Sequence, residues 1–346
     1  MKIGIVTQAL VDNYGGILQN YALQQTMAKL GYDPMTINVL PSLPFKRYLL
    51  YLSKNILLYP FLRKKIKKYN HFIYRPERIK SFINNNIIIT EPLERYSSDL
   101  IKTFGLDALV VGSDQVWRPK YNSNLQDMFL AFAKENDIPK MAYAASFGSE
   151  TWEYTPEQTM MAKELSKLLN AISVREQSGV ALCKDRLGIE AELVLDPTLL
   201  LDKSDYLKLC EMVPRSEIPF IASYILDMNP EKKKAIDCLA SEKCLPVKYV
   251  TASAQSDYSV EEWLSIFRDA SYVVTDSYHG TVFSILFEKQ IKVFINEERG
   301  ADRFYTLFDE LGINKCCVGY IDYRVVAKNL AERREYSENY LSKWLR

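Results

Sequence analysis

The sequence predicts an α/β protein of parallel sheets in two Rossmann-like halves. Three observations lead there. Short β-rich runs alternate with helical patterns along most of the chain, the signature of strands with helices on both faces. Residues 220–311 repeat that unit four times. Between the halves, residues 202–218 form a polar stretch holding Pro214, suited to a linker. A chain of 346 residues is comfortable for two such domains.

In order, residues 2–9 are an apolar run ending in a loop, 17–30 a helix and 33–39 a second strand. Further strands are expected at 108–112, 140–145, 171–174 and 191–195. Asp196-Pro197-Thr198 terminates the last of these. The second half reads strand 220–225, helix 231–241, strand 246–250, helix 260–270, strand 272–275, helix 281–288, strand 291–295 and helix 301–311. The implied domains are 1–205 and 216–330, with a helical tail over 325–346 whose last part, 331–346, is a candidate to cross back onto the first half.

Composition is that of a globular protein, 48% hydrophobic and 25% charged. A net charge of +1 creates no field favouring nucleic acid, and no such partner is expected. The opening MKIGIVTQALVDNYGG runs from a short apolar stretch into a glycine loop, unlike a signal peptide, and no apolar run could span a bilayer. The expected location is the cytoplasm. Six cysteines lack zinc spacing and read as reduced thiols, mostly packing. Two histidines, His71 and His279, exclude a histidine-rich metal site. Residues 45–80 are basic and aromatic, with Glu77 the only carboxylate. They suit either a solvated helical hairpin or a patch for an anionic ligand or membrane surface at the inner face.

In open parallel sheets, ligands bind beyond the carboxyl ends of the strands. Five clusters fall there. Asn13-Tyr14-Gly15-Gly16 precedes the first helix; its glycines permit either close backbone approach to a ligand or a tight turn. Ser113-Asp114-Gln115 follows ALVVG, placing a carboxylate as a base, a hydroxyl anchor or a helix cap. Ala145-Ser146-Phe147-Gly148 suggests close approach of chain or ligand. Arg175 ends a strand, where a guanidinium suits phosphate or carboxylate, or pairs with Glu176. The fifth and strongest runs from Tyr272 through Asp276-Ser277-Tyr278-His279-Gly280-Thr281 into an apolar helix, setting His279 at a helix N-terminus that favours an anion.

NYGGILQNYALQQTMAKLGY, VVGSDQVW, AYAASFG, ISVREQSG, LDPTLLL and VVTDSYHGTVFSILF, in this order, resemble the polysaccharide pyruvyl transferase family from Met1 to about Leu311. The resemblance implies a glycosyltransferase-B-like arrangement, two Rossmann-like domains facing across a cleft. It implies phosphoenolpyruvate as donor, and a sugar hydroxyl pair on a cell-surface polysaccharide or its lipid-linked precursor as acceptor, yielding a pyruvate ketal. Neither cofactor nor metal is implied. Donor contacts carry over to Arg175 and His279, with Ser277, Gly280, Thr281, Arg299 and Arg303 as further candidates. Acceptor candidates are Asn13, Tyr14, Gly15, Gly16, Ser113, Asp114 and Gln115. Many relatives have Arg-Leu-His-Gly where this chain has Ser277-Tyr278-His279-Gly280. Arg299 or Arg303 could replace the missing cation, and Ser277 could give a neutral hydrogen bond.

The expected chemistry holds the donor anion on Arg175, His279 and the helix N-terminus at Thr281. His279 also serves as proton donor, its pKa raised by the nearby phosphate, and Asp114 as base or acceptor anchor. Two alternatives remain. A nucleotide-sugar glycosyltransferase of the same fold would set a diphosphate on Arg175 and His279, with Glu297 or Glu298 as the nearest ribose carboxylates. A non-catalytic glycan-binding relative is suggested by the lost arginine.

Overall fold

The computed structural model describes residues 1–40, 75–122, 124–251, 258–297, 300–314 and 321–345. Most of 45–80, including every lysine from Lys64 to Lys68, lies outside the described residues, as do Arg299, Glu298, His71, Cys316 and Cys317.

The first half contains β1 (Lys2–Val6), α1 (Tyr14–Lys29), β2 (Asp33–Thr36), α2 (Glu77–Asn86), α3 (Asp99–Phe104), β3 (Ala108–Asp114), β4 (Lys140–Ala145), α4 (Pro156–Ser166), β5 (Ala171–Val174), α5 (Gln177–Leu182) and β6 (Glu192–Leu193). Its strands form one parallel sheet in the order β2-β1-β3-β4-β5-β6. The central strands read ALVVGSD and KMAYAA and are buried at every position, as strands covered on both faces must be. Pro34 sits on edge strand β2, where a missing N–H is tolerated. The strand is four residues long rather than the seven expected; beyond Thr36 the chain pairs instead with residues 88–93.

Helix α6 (Lys203–Leu209) leads to the second half: β7 (Ile221–Tyr224), α7 (Pro230–Lys243), β8 (Val247–Val250), α8 (Val260–Asp269), β9 (Tyr272–Thr275), α9 (Tyr278–Leu286), β10 (Gln290–Val293), α10 (Asp302–Leu311) and α11 (Tyr323–Trp344). This sheet is also parallel, in the order β10-β9-β7-β8. Ser259 caps α8 through a reciprocal capping box with Glu262, and Thr155 caps α4 likewise with Gln158. Helix α9 is buried at all nine positions, and its apolar composition on every side permits that.

The two sheets face each other with strand carboxyl ends converging, the cleft arrangement expected. The halves also touch directly. Tyr14 stacks on Trp263, ring centroids 5.2 Å apart, and its hydroxyl donates to the Tyr258 carbonyl at 2.6 Å. The Gln177 and Ser178 N–H groups, at the start of α5, donate to Thr306 Oγ1 and Asp302 Oδ2 of α10. Gly300 passes so close to Gly148 that a Cβ would lie 2.7 Å from its carbonyl oxygen; the ASFG segment admits close approach of chain. Helix α11 returns to the first half, where Ser337 Oγ accepts the Leu195 N–H and Arg334 donates to the carbonyls of Leu199 and Leu201. Among the described residues no helix is long and apolar enough to cross a membrane.

Candidate functional site

A cavity of about 270 Å³ opens where the strand ends meet. Gln8 enters beyond β1, Asp114 and Gln115 from the end of β3, and Tyr224 from β7. Ser277, Tyr278 and His279 come from the β9–α9 junction, and Arg303 from the first turn of α10. Asn13 and Tyr14 close one side at the start of α1.

The strongest sequence motif starts its helix earlier than expected. The reading placed the helix at 281–288, but α9 begins at Tyr278, because Ser277 is extended and its hydroxyl accepts the Gly280 N–H. Several assignments change with that shift. Thr281 is fully buried, and both its N–H and its hydroxyl donate to the Ser277 carbonyl. The Ser277 hydroxyl is engaged as the helix cap. Gly280 makes room for Thr275 and Tyr224, which a Cβ would approach to 2.5 and 2.9 Å, rather than for an anion. The unsatisfied first-turn N–H groups belong to Tyr278 and His279, for which no described residue is an acceptor.

Arg175, expected to hold the donor anion, has a wholly buried side chain that does not line the cavity. Nη1 donates to Asp196 Oδ2 at 2.6 Å and Nη2 to Asp114 Oδ1 at 3.0 Å. Glu176 approaches Nε to 3.8 Å. The alternative of a surface Arg175–Glu176 pair fails too, since both residues are buried. The Tyr278 ring lies between Arg175 and Arg303, whose Cζ atoms are 5.1 and 5.2 Å from its centroid.

The electrostatics follow from that pairing. Burial pushes the Asp114 carboxyl up, but Arg175, His279 and Arg303 outweigh it and hold it below the usual range. Asp196 behaves likewise, through Arg175, His279 and hydrogen bonds from Thr198. Burial keeps the Glu176 carboxyl high against the pull of Arg175. Burial also lowers the His279 pKa, more than Asp196 and Asp114 raise it, which favours the neutral imidazole. The raised value expected for a proton donor is not a property of the protein alone. His279 Nε2 makes no hydrogen bond and lies 3.8 Å from Asp196 Oδ2. Arg303 is pushed down to about 10 by burial and by Arg175.

The glycine loop is divided. Gly15 gives room to His279, whose Nδ1 would be 2.0 Å from a Cβ there; Gly16 faces Asp114 Oδ2 at 3.4 Å. Asn13 stands at the α1 cap position without a side-chain cap bond. Ser113 is buried behind the site, its N–H donating to Gln19 Oε1 and its hydroxyl accepting the Asp114 N–H. Asp114 adopts φ 69°, a left-handed conformation that aspartate tolerates better than most residues. The Gln115 carbonyl accepts from Gln8, and its side-chain oxygen from Arg118. Of the two ribose-carboxylate candidates, Glu297 is exposed and absent from the cavity wall, and Glu298 is undescribed.

Two residues carried no site role in the sequence reading. Asp196 was read as a strand terminator, yet it joins Arg175 to His279 across the halves; the signal available was its place directly after a strand. Asp276 is fully buried and accepts the N–H groups of Leu226 and Asp227 and the Lys232 ammonium, fixing the loop that brings Leu226 to the cavity.

Among solved structures, the chain is similar to an S. aureus MnaA–UDP co-structure at 12% identity and TM-score 0.49, covering 99% of this chain and 90% of that one. It is similar to Neisseria meningitidis UDP-GlcNAc 2-epimerase bound to UDP-GlcNAc at 15% identity and TM-score 0.47, covering 98% and 93%. A third is Methanocaldococcus jannaschii UDP-GlcNAc 2-epimerase in complex with UDP-GlcNAc and UDP, at 14% and 0.46, covering 96% and 93%. No curated protein matches the chain. The family model described as polysaccharide pyruvyl transferase matches residues 13–294, from the glycine loop that seats His279 to the last strand of the second sheet, and the chain belongs to that family.

Proposed function

We propose that the protein transfers the pyruvyl group of phosphoenolpyruvate onto a pair of sugar hydroxyls, forming a ketal on a cell-surface polysaccharide or its lipid-linked precursor. Family membership supports transferase chemistry. The observation that supports the donor assignment is a cavity lined by both His279 and a buried Arg303 that makes no hydrogen bond or salt bridge to a described residue. Such a site takes a compact anion.

In the reaction, the vinyl CH₂ of the donor gains a proton and becomes CH₃, leaving an oxocarbenium-like centre. One sugar hydroxyl attacks it, phosphate leaves, and the second hydroxyl closes the ketal. One hydroxyl proton balances the new CH₃ and the other departs with phosphate. His279 is the group placed to supply the first proton. Its pKa is depressed without ligand, and an adjacent donor anion raises it, so the acid is formed only when donor is present. Asp114, ionised and held by Arg175, faces the same cavity and orients the acceptor hydroxyls. Its low pKa makes it a hydrogen-bond acceptor rather than a strong base.

Mass spectrometry of lipid-linked sugars incubated with enzyme and phosphoenolpyruvate tests the proposal. The expected product is heavier by one pyruvate less one water, and His279→Ala abolishes it. UDP- and GDP-sugars run in parallel are expected to give no product; a transferred sugar instead of pyruvate would overturn the assignment.

A further inference from the structure

Among the described residues, four tyrosines line the cavity, and three are committed to packing. Tyr14 stacks on Trp263, Tyr224 meets Trp263 and Phe267 edge-on, and Tyr278 lies between Arg175 and Arg303. Tyr121 differs: it is 45% exposed and stands in the cavity wall. Singly exposed rings are common on protein surfaces, but this one has a built support. The Arg118 guanidinium lies over it, Cζ 5.4 Å from the ring centroid. Arg118 is itself buried, donating to Glu153 through Nε at 3.1 Å and Nη2 at 2.9 Å, and to Gln115 Oε1 at 3.3 Å. The next residue, Asn122, reaches the carbonyls of Gln115, Val116 and Arg118 with its amide nitrogen at 3.0, 2.8 and 3.2 Å. Trp117 anchors the middle of the segment in the core, its Nε1 donating to the Met128 carbonyl. Residues 115–122 are thus a fixed loop. A ring held in place before binding loses little freedom when a ligand stacks on it.

The same loop follows directly on Asp114, which faces the cavity, and Gln8 and Gln115 also line it. A pyranose offers both matching chemistries, an edge of hydroxyls and a face of C–H groups. Carboxylate and carboxamides suit the edge; an exposed ring suits the C–H face. We infer that Tyr121 is the platform on which the acceptor's sugar ring stacks, and that it selects acceptors presenting an unbroken C–H face. This rests on the sugar-acceptor reading above, yet fails separately from it.

Saturation-transfer NMR of the full chain with the methyl glycosides of glucose, galactose, mannose, N-acetylglucosamine and N-acetylmannosamine reads binding without turnover. Wild type is expected to saturate the C–H protons on one face of at least one glycoside. Tyr121→Ala is expected to weaken that glycoside at least roughly tenfold, and Tyr121→Trp, which keeps a ring, to stay within about threefold. In pyruvyl transfer, Tyr121→Ala is expected to raise the acceptor KM by the same factor while kcat and the phosphoenolpyruvate KM stay within about threefold. A ring that served only to cover Arg118 would, on changing to Ala, lower the melting temperature and leave the acceptor KM as it was; that result overturns the inference. Glycoside binding that needs Tyr121, with no pyruvyl transfer, supports the platform and sinks the donor proposal. Pyruvyl transfer with an unchanged acceptor KM in Tyr121→Ala sustains the donor proposal and overturns the platform. Wild type that binds none of the glycosides overturns it as well.

Discussion

Gly15→Ala separates local stability from site geometry. Gly15 is the second residue of α1, and alanine there favours the helix by about 0.5–1 kcal/mol. Stability of the isolated helix therefore improves. The new methyl, however, would start 2.0 Å from His279 Nδ1 and 2.4 Å from Cγ. Ordinary contact begins near 3.4 Å, so the imidazole must retreat by more than 1 Å or the halves must part. Overpacking of this kind costs about 1–3 kcal/mol, which the helix gain partly offsets, leaving a net loss of about 0–2.5 kcal/mol. A displacement of about 1 Å in a reacting group costs roughly 100-fold in rate. The expected outcome is a small change in urea midpoint with a turnover loss near two orders of magnitude. Gly16→Ala is the control: its methyl meets nothing closer than 3.1 Å, at the Asn13 amide, and a loss within about tenfold is expected. Pyruvyl transfer assayed alongside urea unfolding decides. Wild-type turnover in Gly15→Ala, or an equal loss in both variants, would refute the idea that this glycine seats the histidine.

Acid should destabilise the protein in a defined window. Asp114, Asp196 and His279 all have native pKa values below their ordinary ones, so the unfolded chain binds protons first as pH falls. Their contribution is intact above about pH 6.5 for the histidine and about pH 4 for the carboxylates, and is lost below; Glu176, raised, runs the other way. Melting temperature should therefore fall below about pH 6.5 through the histidine and again below about pH 4 through the carboxylates, and Asp114→Asn should flatten only the lower part. Among the described cysteines, Cys238 and Cys244 are exposed, whereas burial pushes Cys183 and Cys210 up to about 12. Alkylation under native conditions, mapped by mass spectrometry, should label the first pair and spare the second. For the basic segment, binding to anionic vesicles that weakens with salt is expected, each lysine adding about 1 kcal/mol, with none to neutral vesicles. Sedimentation of wild type against a variant with Lys64, Lys65, Lys67 and Lys68 changed to Gln checks it; equal pelleting would assign those lysines to a solvated face.

Local patterns carried most of the architecture. Strands β4, β5 and β9 were readable to the residue because buried parallel strands are short apolar runs, here followed by Ser146, Arg175 and Asp276. The start of α9 was not, since Tyr-His-Gly reads as loop until the Ser277 cap is known. The site divides the same way. Asp114 and His279 were visible because strand ends point at ligands. The burial of Arg175 was invisible because it depends on Asp114 and Asp196, distant in sequence and meeting only through the fold. Likewise, nothing local marks Gly15 as the seat of a histidine from the other half.

The last helix bears on how the molecule is made. Leu195 in the first half gives its N–H to Ser337, 142 residues later, and Tyr143 packs against Tyr340. On the ribosome, domains emerge and fold in order from the N-terminus. Here the earlier half cannot close its core when it emerges, because the piece that covers Tyr143 and Leu195 is synthesised only after the second half. The nascent first half waits with that surface open through the translation of the entire second half.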